Sequence, residues 1–322
     1  MSSIVYRHAT TYKIPGSPST ASDQASTFPM NLNLNSIYDN ENWSLRFGAY
    51  KWLALILITD FEFRRYLNYG FTIQHNITSS LGNVGLQVWR AALVLTDFVL
   101  HKSLSSSDFN DIIALELGAG TGLVGIALAR VARTVFITDR GMEVLDNCAA
   151  NVQLNSSLLK FHEPSIHIRE LDWKEAWPPN LQTCDFSSQQ RTIYSWASSE
   201  IEEAERATLL LAADVIYSDE LTDSFFGILE RLMSQGSEKV LYLALEKRYN
   251  FSLEELDVVA NGSISLFFPS GGAEYGGHDD ASLPCFVGEL IDLGHIPQYI
   301  REYERGKDLE IWKITYCLKG LK

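Results

Sequence analysis

The stretch Ala114–Arg130, ALELGAGTGLVGIALAR, restricts this chain more than any other. An apolar strand runs into the loop Glu116-Leu117-Gly118-Ala119-Gly120-Thr121-Gly122 and leaves it as a helix with small residues on one face. Glycines let the backbone turn tightly and approach a ligand closely. The open helix N-terminus that follows offers N–H donors and a favourable potential to an anionic group.

The same alternation continues downstream. Ile112–Leu117, Thr134–Thr138, Ile166–Leu171, Leu209–Ala213 and Val240–Leu245 read as strands; Gly122–Ala132, Gly141–Asn155 and Leu221–Met233 read as helices. Strands alternating with helices imply right-handed βαβ units and a parallel sheet, an α/β fold. Ahead of them, Asn83–His101 places Val88, Ala91, Ala92, Leu95 and Val99 at helical spacing. Near the end, PQYIREY and LEIWKITYCL flank Glu304-Arg305-Gly306-Lys307, which predicts an antiparallel hairpin. Pro178–Ala207, with Glu200, Glu202, Glu203 and Glu205, and the glycine-rich Ser270–Ser282 read as inserted loops. The acidic run reads as a solvated face or as a recruiter of a basic substrate. Three regions result: a disordered leader over 1–30, an N-terminal β-rich extension over 31–82 with runs such as KWLALILITDF and NYGFTIQHNI, and the α/β domain over 83–322.

Composition narrows the partners. With 26 basic and 40 acidic side chains in 322 residues the net charge is -14, which repels phosphate backbones and argues against direct nucleic-acid binding while suiting a basic protein. Cys148, Cys184, Cys285 and Cys317 are scattered, without CxxC spacing, so neither a metal site nor a disulfide framework is expected. The stretch MSSIVYRHATTYKIPGSPST lacks the apolar core of a secretory signal. Its Arg7 and Lys13, with no acid before Asp23, leave a mitochondrial transit segment and a plain leader both open. The run Trp52–Ile58 is far short of the roughly 18–20 apolar residues of a membrane helix, so no membrane partner is expected.

Two cofactor classes compete for the glycine loop. A dinucleotide fingerprint places its third glycine three residues after the second; here Leu123 stands there and Gly122 comes one residue early. Glu116, two residues before the first glycine, is foreign to that pattern and suits the amino group of S-adenosylmethionine (SAM). Asp139 ends the next strand, where a carboxylate accepts from ribose hydroxyls of either cofactor. Asp172-Trp173 follows the third strand; the acid suits an adenine amino group and the indole the ring, with plain packing as the alternative. Ala213 and Asp214 end the fourth strand, and Tyr217 lies three residues on. Ligands of open α/β sheets sit at the carboxyl ends of strands, and Glu116, Asp139, Asp172 and Asp214 share that edge.

These motifs, together with QVWRAALVLTDFVL, AADVIYSDELTD, LEKRYNFSLEELDV and LEIWKI, resemble the seven-stranded, Rossmann-like SAM-dependent methyltransferases, and among them the lysine-specific protein methyltransferases. The resemblance implies a mostly parallel seven-stranded sheet with a C-terminal antiparallel hairpin and helices on both faces. It also implies that Trp89 lines the SAM pocket with Glu116, Gly118, Gly120, Gly122, Asp139, Asp172, Trp173 and Ala213. Asp214 and Tyr217 correspond to the family's D-x-x-Y element beside the methyl acceptor. The implied protein is nuclear or cytoplasmic and methylates lysines of other proteins, including a nuclear nucleic-acid-binding one. The rivals are a methyltransferase for small molecules or nucleic acids and a non-catalytic SAM-binding scaffold. Asp214-Val215-Ile216-Tyr217 lacks the prolines expected of an amino-methylating nucleic-acid enzyme.

Overall fold

The computed structural model describes residues 7–12, 70–76, 81–159, 165–179, 193–252, 257–261 and 285–317. The strands expected around KWLALILITDF and the loop expected over Ser270–Ser282 lie outside the described residues.

Two strands come first, β1 (Arg7–Tyr12) and β2 (Phe71–Asn76), paired antiparallel from Arg7↔Asn76 to Tyr12↔Phe71. Part of the expected leader is therefore a strand, because a partner distant in sequence supplies the ladder that local composition does not announce. A 3-10 segment over Leu81–Leu86 leads to helix α1 (Arg90–Ser105). The chain then alternates through β3 (Ile113–Leu117), α2 (Leu123–Leu128), β4 (Thr134–Asp139), α3 (Met142–Leu154) and β5 (Ser165–Glu170). There follow α4 (Ser198–Glu205), β6 (Leu209–Ala213), α5 (Asp219–Met233) and β7 (Val240–Glu246). A separate pair, β8 (Arg248–Ser252) and β9 (Asp257–Asn261), precedes β10 (Cys285–Leu290) and β11 (Leu309–Cys317).

Seven of these strands form one sheet in the order β10-β11-β7-β6-β3-β4-β5. The pairs from β7 through β5 are parallel, and β11 runs antiparallel to both its neighbours. All five residues of β3 are buried, as expected of a central parallel strand covered on both faces. Side chains alternate across it: Ile113, Leu115 and Leu117 pack with Phe225, Ile228 and Leu232 of α5. On β7, Leu241 and Leu243 join that cluster, while Tyr242 points the other way, its ring 4.6 Å from Phe98 of α1. Helix α5 buries Thr222, Phe225, Ile228, Leu229, Leu232 and Met233, a stripe at i, i+3, i+4 spacing, and carries Asp219 and Glu220 in its first turn, where acids oppose the helix dipole favourably.

The C-terminal hairpin differs from its expected form. PQYIREY is not a strand; β11 pairs instead with β10, from Leu290↔Trp312 to Cys285↔Cys317. Asp97, fully buried on α1, accepts from the backbone N–H groups of Tyr299 and Ile300, both at 2.8 Å, and from the Tyr303 hydroxyl at 2.6 Å, and it is paired with Arg305. The N–H groups that a strand ladder would need there are taken by one carboxylate.

The polar stretch before β6 is also more than a loop, since it holds α4. Glu200 there is bound by Arg169, and that hydrogen bond holds its carboxyl down to about 2; it also meets His167 Nδ1 at 2.9 Å. Glu203 accepts from the Thr134 hydroxyl at 2.9 Å. These two acids serve the fold. Glu246, at the end of β7, is paired with Arg90, and the adjacent Lys247 with Glu310.

Candidate functional site

The order of strands reverses at β3, where β4 follows on one side and β6 lies on the other; a crevice opens at the carboxyl ends of strands at such a point. Here it is a cavity of about 480 Å3, within the range of small-molecule sites.

The glycine loop forms its floor. Ala119 N–H donates to the Thr138 carbonyl at 2.9 Å, which ties the loop to the end of β4. Gly118 and Gly120 have φ of +63° and +55°, where side chains are disfavoured. A Cβ on Gly118 would lie 2.8 Å from Val215 and 3.0 Å from the Trp173 ring, and one on Gly120 would lie 2.9 Å from the Gly85 carbonyl oxygen. The two glycines are thus required by what packs against the loop. Gly122 does not line the cavity: at φ +78° it caps α2, and a Cβ there would meet Cys148 Sγ at 2.5 Å. Its glycine is explained by packing.

Four acids stand around the floor. Glu116 is 3% exposed and accepts from Gly125 N–H at 2.9 Å. Burial, reinforced by the nearby Asp139 charge, pushes its carboxyl up to about 8 despite that donor. Asp139 accepts from Gly120 N–H at 2.7 Å and from Arg140 N–H at 2.6 Å; burial raises its pKa, and those two donors oppose the rise. Asp172 accepts from Lys174 N–H at 3.0 Å and meets Arg140 Nε at 3.1 Å. Asp214 follows β6, is 7% exposed and sits at φ +56°, a conformation rare for a residue with a side chain and concentrated at functional sites. Its N–H donates to the Ala244 carbonyl at 2.8 Å, so the neighbouring strand holds this turn in place.

Aromatic walls complete the cavity. Trp89, just before α1, donates its indole N–H to the Val84 carbonyl at 3.0 Å and so holds the 3-10 segment beside the loop. Trp173 leans on Phe225, edge to face at 5.1 Å. Tyr217, 41% exposed, stands at the rim. The cavity therefore brings together Trp89, Glu116, Gly118, Gly120, Asp139, Asp172, Trp173, Ala213, Asp214 and Tyr217, and leaves out Gly122.

Sequence reasoning missed Val84, Gly85, Gln87, Arg140 and Leu221, which also line it. Arg140 was identifiable only by its place directly after a strand-end acid. Gly85 carries no such signal, because its role comes from the approach of its carbonyl to Gly120. Chemically, the cavity offers buried carboxylates for an amine, a half-buried one for a diol, and aromatic surface for a flat ring. Among the described residues no group of histidines, cysteines and carboxylates is arranged to hold a metal, and no helix is long and apolar enough to cross a membrane.

Residues 70–187 match the protein family described as lysine methyltransferase. The chain is 37% identical over 244 residues to methyltransferase-like protein 22 of Homo sapiens, an alignment covering 75% of this chain and 56% of that protein. The Mus musculus protein of the same name is 35% identical over 271 residues, covering 80% of this chain and 62% of the relative. Protein N-lysine methyltransferase METTL21A of Mus musculus is 32% identical over 166 residues, covering 52% and 62%. The chain thus spans less than two thirds of the length of these relatives.

Proposed function

From a chain whose residues 70–187 match the lysine methyltransferase family, we propose that it transfers a methyl group from SAM to the side-chain amine of a lysine in a protein substrate. The observation that carries this reading is the cavity itself: the glycine loop, three strand-end acids and the Asp214–Tyr217 pair open into one space at the switch point of the sheet.

The residues present fit the cofactor. Glu116 would take its amino group, Asp139 its ribose hydroxyls, and Asp172 with Trp173 its adenine, while Gly118, Gly120 and Ala213 leave room for the backbone to approach and Trp89 closes one wall. When bound, SAM supplies an already activated sulfonium methyl, so the protein's task is alignment.

The acceptor must be neutral to attack. A free lysine has a pKa of about 10.4, and neutralising it at pH 7 costs roughly 4–5 kcal/mol. Burial in the cavity lowers that cost. Asp214 accepts a hydrogen bond from the amine and aims its lone pair, and Tyr217 walls the channel at the rim. A carboxylate also favours the ammonium form, so Asp214 captures and orients rather than acting as a strong base. The net charge of -14 supports a basic protein substrate, including a nuclear nucleic-acid-binding one, met in the nucleus or cytoplasm.

The test is to incubate the full chain with methyl-labelled SAM and cell extract and to locate the label. Label on lysine is expected, reduced by about 10²-fold in Asp214→Ala with SAM affinity kept within about threefold, as for a positioning loss. Label in RNA or small molecules overturns the substrate assignment, and SAM binding without any transfer makes the chain a scaffold.

A further inference from the structure

Helix α3 and the residue that caps its C-terminus turn three asparagines toward strand β2. Asn147, Asn151 and Asn155 recur every fourth residue, so they lie on one face, and they are 2%, 0% and 2% exposed. Burying so many amides is costly unless each finds partners. Here they read the edge of β2 as a strand would. Asn155 Oδ1 accepts from Thr72 N–H at 2.9 Å, and its Nδ2 donates to the Thr72 carbonyl at 2.8 Å. Asn151 does the same two residues along, with Oδ1 accepting from Gln74 N–H at 2.7 Å and Nδ2 donating to the Gln74 carbonyl at 3.1 Å. Asn147 Nδ2 donates to that same carbonyl at 3.1 Å.

Asn151 does one thing the others do not: its Nδ2 also donates, at 2.9 Å, to the Thr121 carbonyl in the glycine loop. Thr121 lies just before the Gly122 cap of α2, so its carbonyl takes no part in the ladder of that helix, and Gly125 N–H is one of the first-turn donors a helix leaves without an internal partner. That N–H donates to Glu116. The loop and the first turn of α2 are therefore gripped at two places, by Asn151 at Thr121 and by Glu116 at Gly125.

We propose that Asn151 is a positioning residue of the cofactor loop, and that it couples strand β2 at Gln74, not at Thr72, to the cofactor site. This rests on the reading of the cavity as a SAM site. By linkage, ordering the loop and ordering β2 favour one another.

Asn155 is the built-in control, since it grips β2 without touching the loop. Hydrogen exchange on the ligand-free full chain is the first measurement. Asn151→Ala speeds exchange at the loop amides of Gly120 and Gly122 by about tenfold relative to Asn155→Ala, the effect of about one lost hydrogen bond. Equal rates at these amides in the two variants overturn the proposal, whatever the ligand. The second is calorimetric titration with SAM, joined by steady-state assay. Asn151→Ala raises the SAM Kd and KM by about tenfold, with kcat and the protein-substrate KM within about twofold, whereas Asn155→Ala keeps SAM affinity within about twofold even where its Tm falls as far. An equal change, or none, in both variants overturns the proposal. Wild-type protein that takes up no SAM refutes the cofactor reading instead, and the exchange comparison still decides whether Asn151 holds the loop. If Asn151→Ala fails to fold, the wild-type chain carries the test: saturating SAM slows exchange of the Gln74 amide more than that of Thr72, and an unchanged Gln74 amide refutes the coupling.

Discussion

The two halves of the cavity are built differently. On the side of β3, β4 and β5, hydrogen bonds within the protein hold the polar groups: Glu116 by Gly125, Asp139 by Gly120 and Arg140, Asp172 by Lys174 and Arg140. On the side of β6, the turn that carries Asp214 has a left-handed φ and is tied to β7 through the Ala244 carbonyl, and Tyr217 at the rim is 41% exposed. A small cofactor of fixed shape rewards a preorganised half. A lysine carried on another protein needs a rim open to solvent. The contrast fits a site whose two ligands differ greatly in size.

The largest expected effect breaks the preorganised half at its tightest point. Gly120→Arg combines a left-handed φ with a Cβ 2.9 Å from the Gly85 carbonyl oxygen, a backbone atom with little freedom to move. SAM binding by calorimetry is expected to fall below detection, more than about 10²-fold, and retained affinity would refute the role of this loop.

Next comes Glu116, whose carboxyl stands at about 8 in the ligand-free protein. A cationic amine needs the carboxylate, so binding releases a proton, and SAM affinity is expected to weaken by up to about tenfold per unit as pH falls from 8 toward 6. Stability of the ligand-free protein runs the opposite way. A carboxyl whose folded pKa lies above its ordinary 4.5 stabilises the fold at low pH, and that contribution is lost as pH rises from 4.5 through 8. Glu116→Gln should weaken SAM binding by about tenfold at pH 8.5, the scale of one lost charged contact, and flatten its pH dependence between 6 and 8.5. A slope that survives in Glu116→Gln assigns the proton to another group.

The smallest effect belongs to the open half. Tyr217→Ala should raise KM for the protein substrate by about three- to tenfold, with SAM affinity unchanged, since it removes a partly exposed wall and leaves the loop intact. A matching loss of SAM affinity would mean that the two halves are not separable in this way.

Much of this was legible in the residues. The strand and helix alternation from Ile112 to Leu245 follows from local periodicity, and the observed elements agree to within a few residues, apart from α2, which ends at Leu128 rather than Ala132, and α4, which stands in a stretch whose polar composition reads as a loop. The strand-end acids were also legible, because an acid after an apolar strand is visible in one dimension. The hairpin pairs elsewhere than local pattern suggests: that pattern favours 297–303 as a strand, while Asp97, some two hundred positions away, takes the N–H groups that stretch would need. Gly122 looked like its neighbours in the loop, and only its approach to Cys148 separates it from them.

By itself, then, the sequence determined the class of fold, the glycine loop and the edge of the sheet on which a site could form, since all three rest on spacing along the chain. Only the tertiary structure decided which of those residues share the cavity, which are packing, and that Asn151 bonds both β2 and the Thr121 carbonyl of the loop. Those are relations between distant segments, set by side-chain contacts and by hydrogen bonds that must be satisfied once the chain is buried.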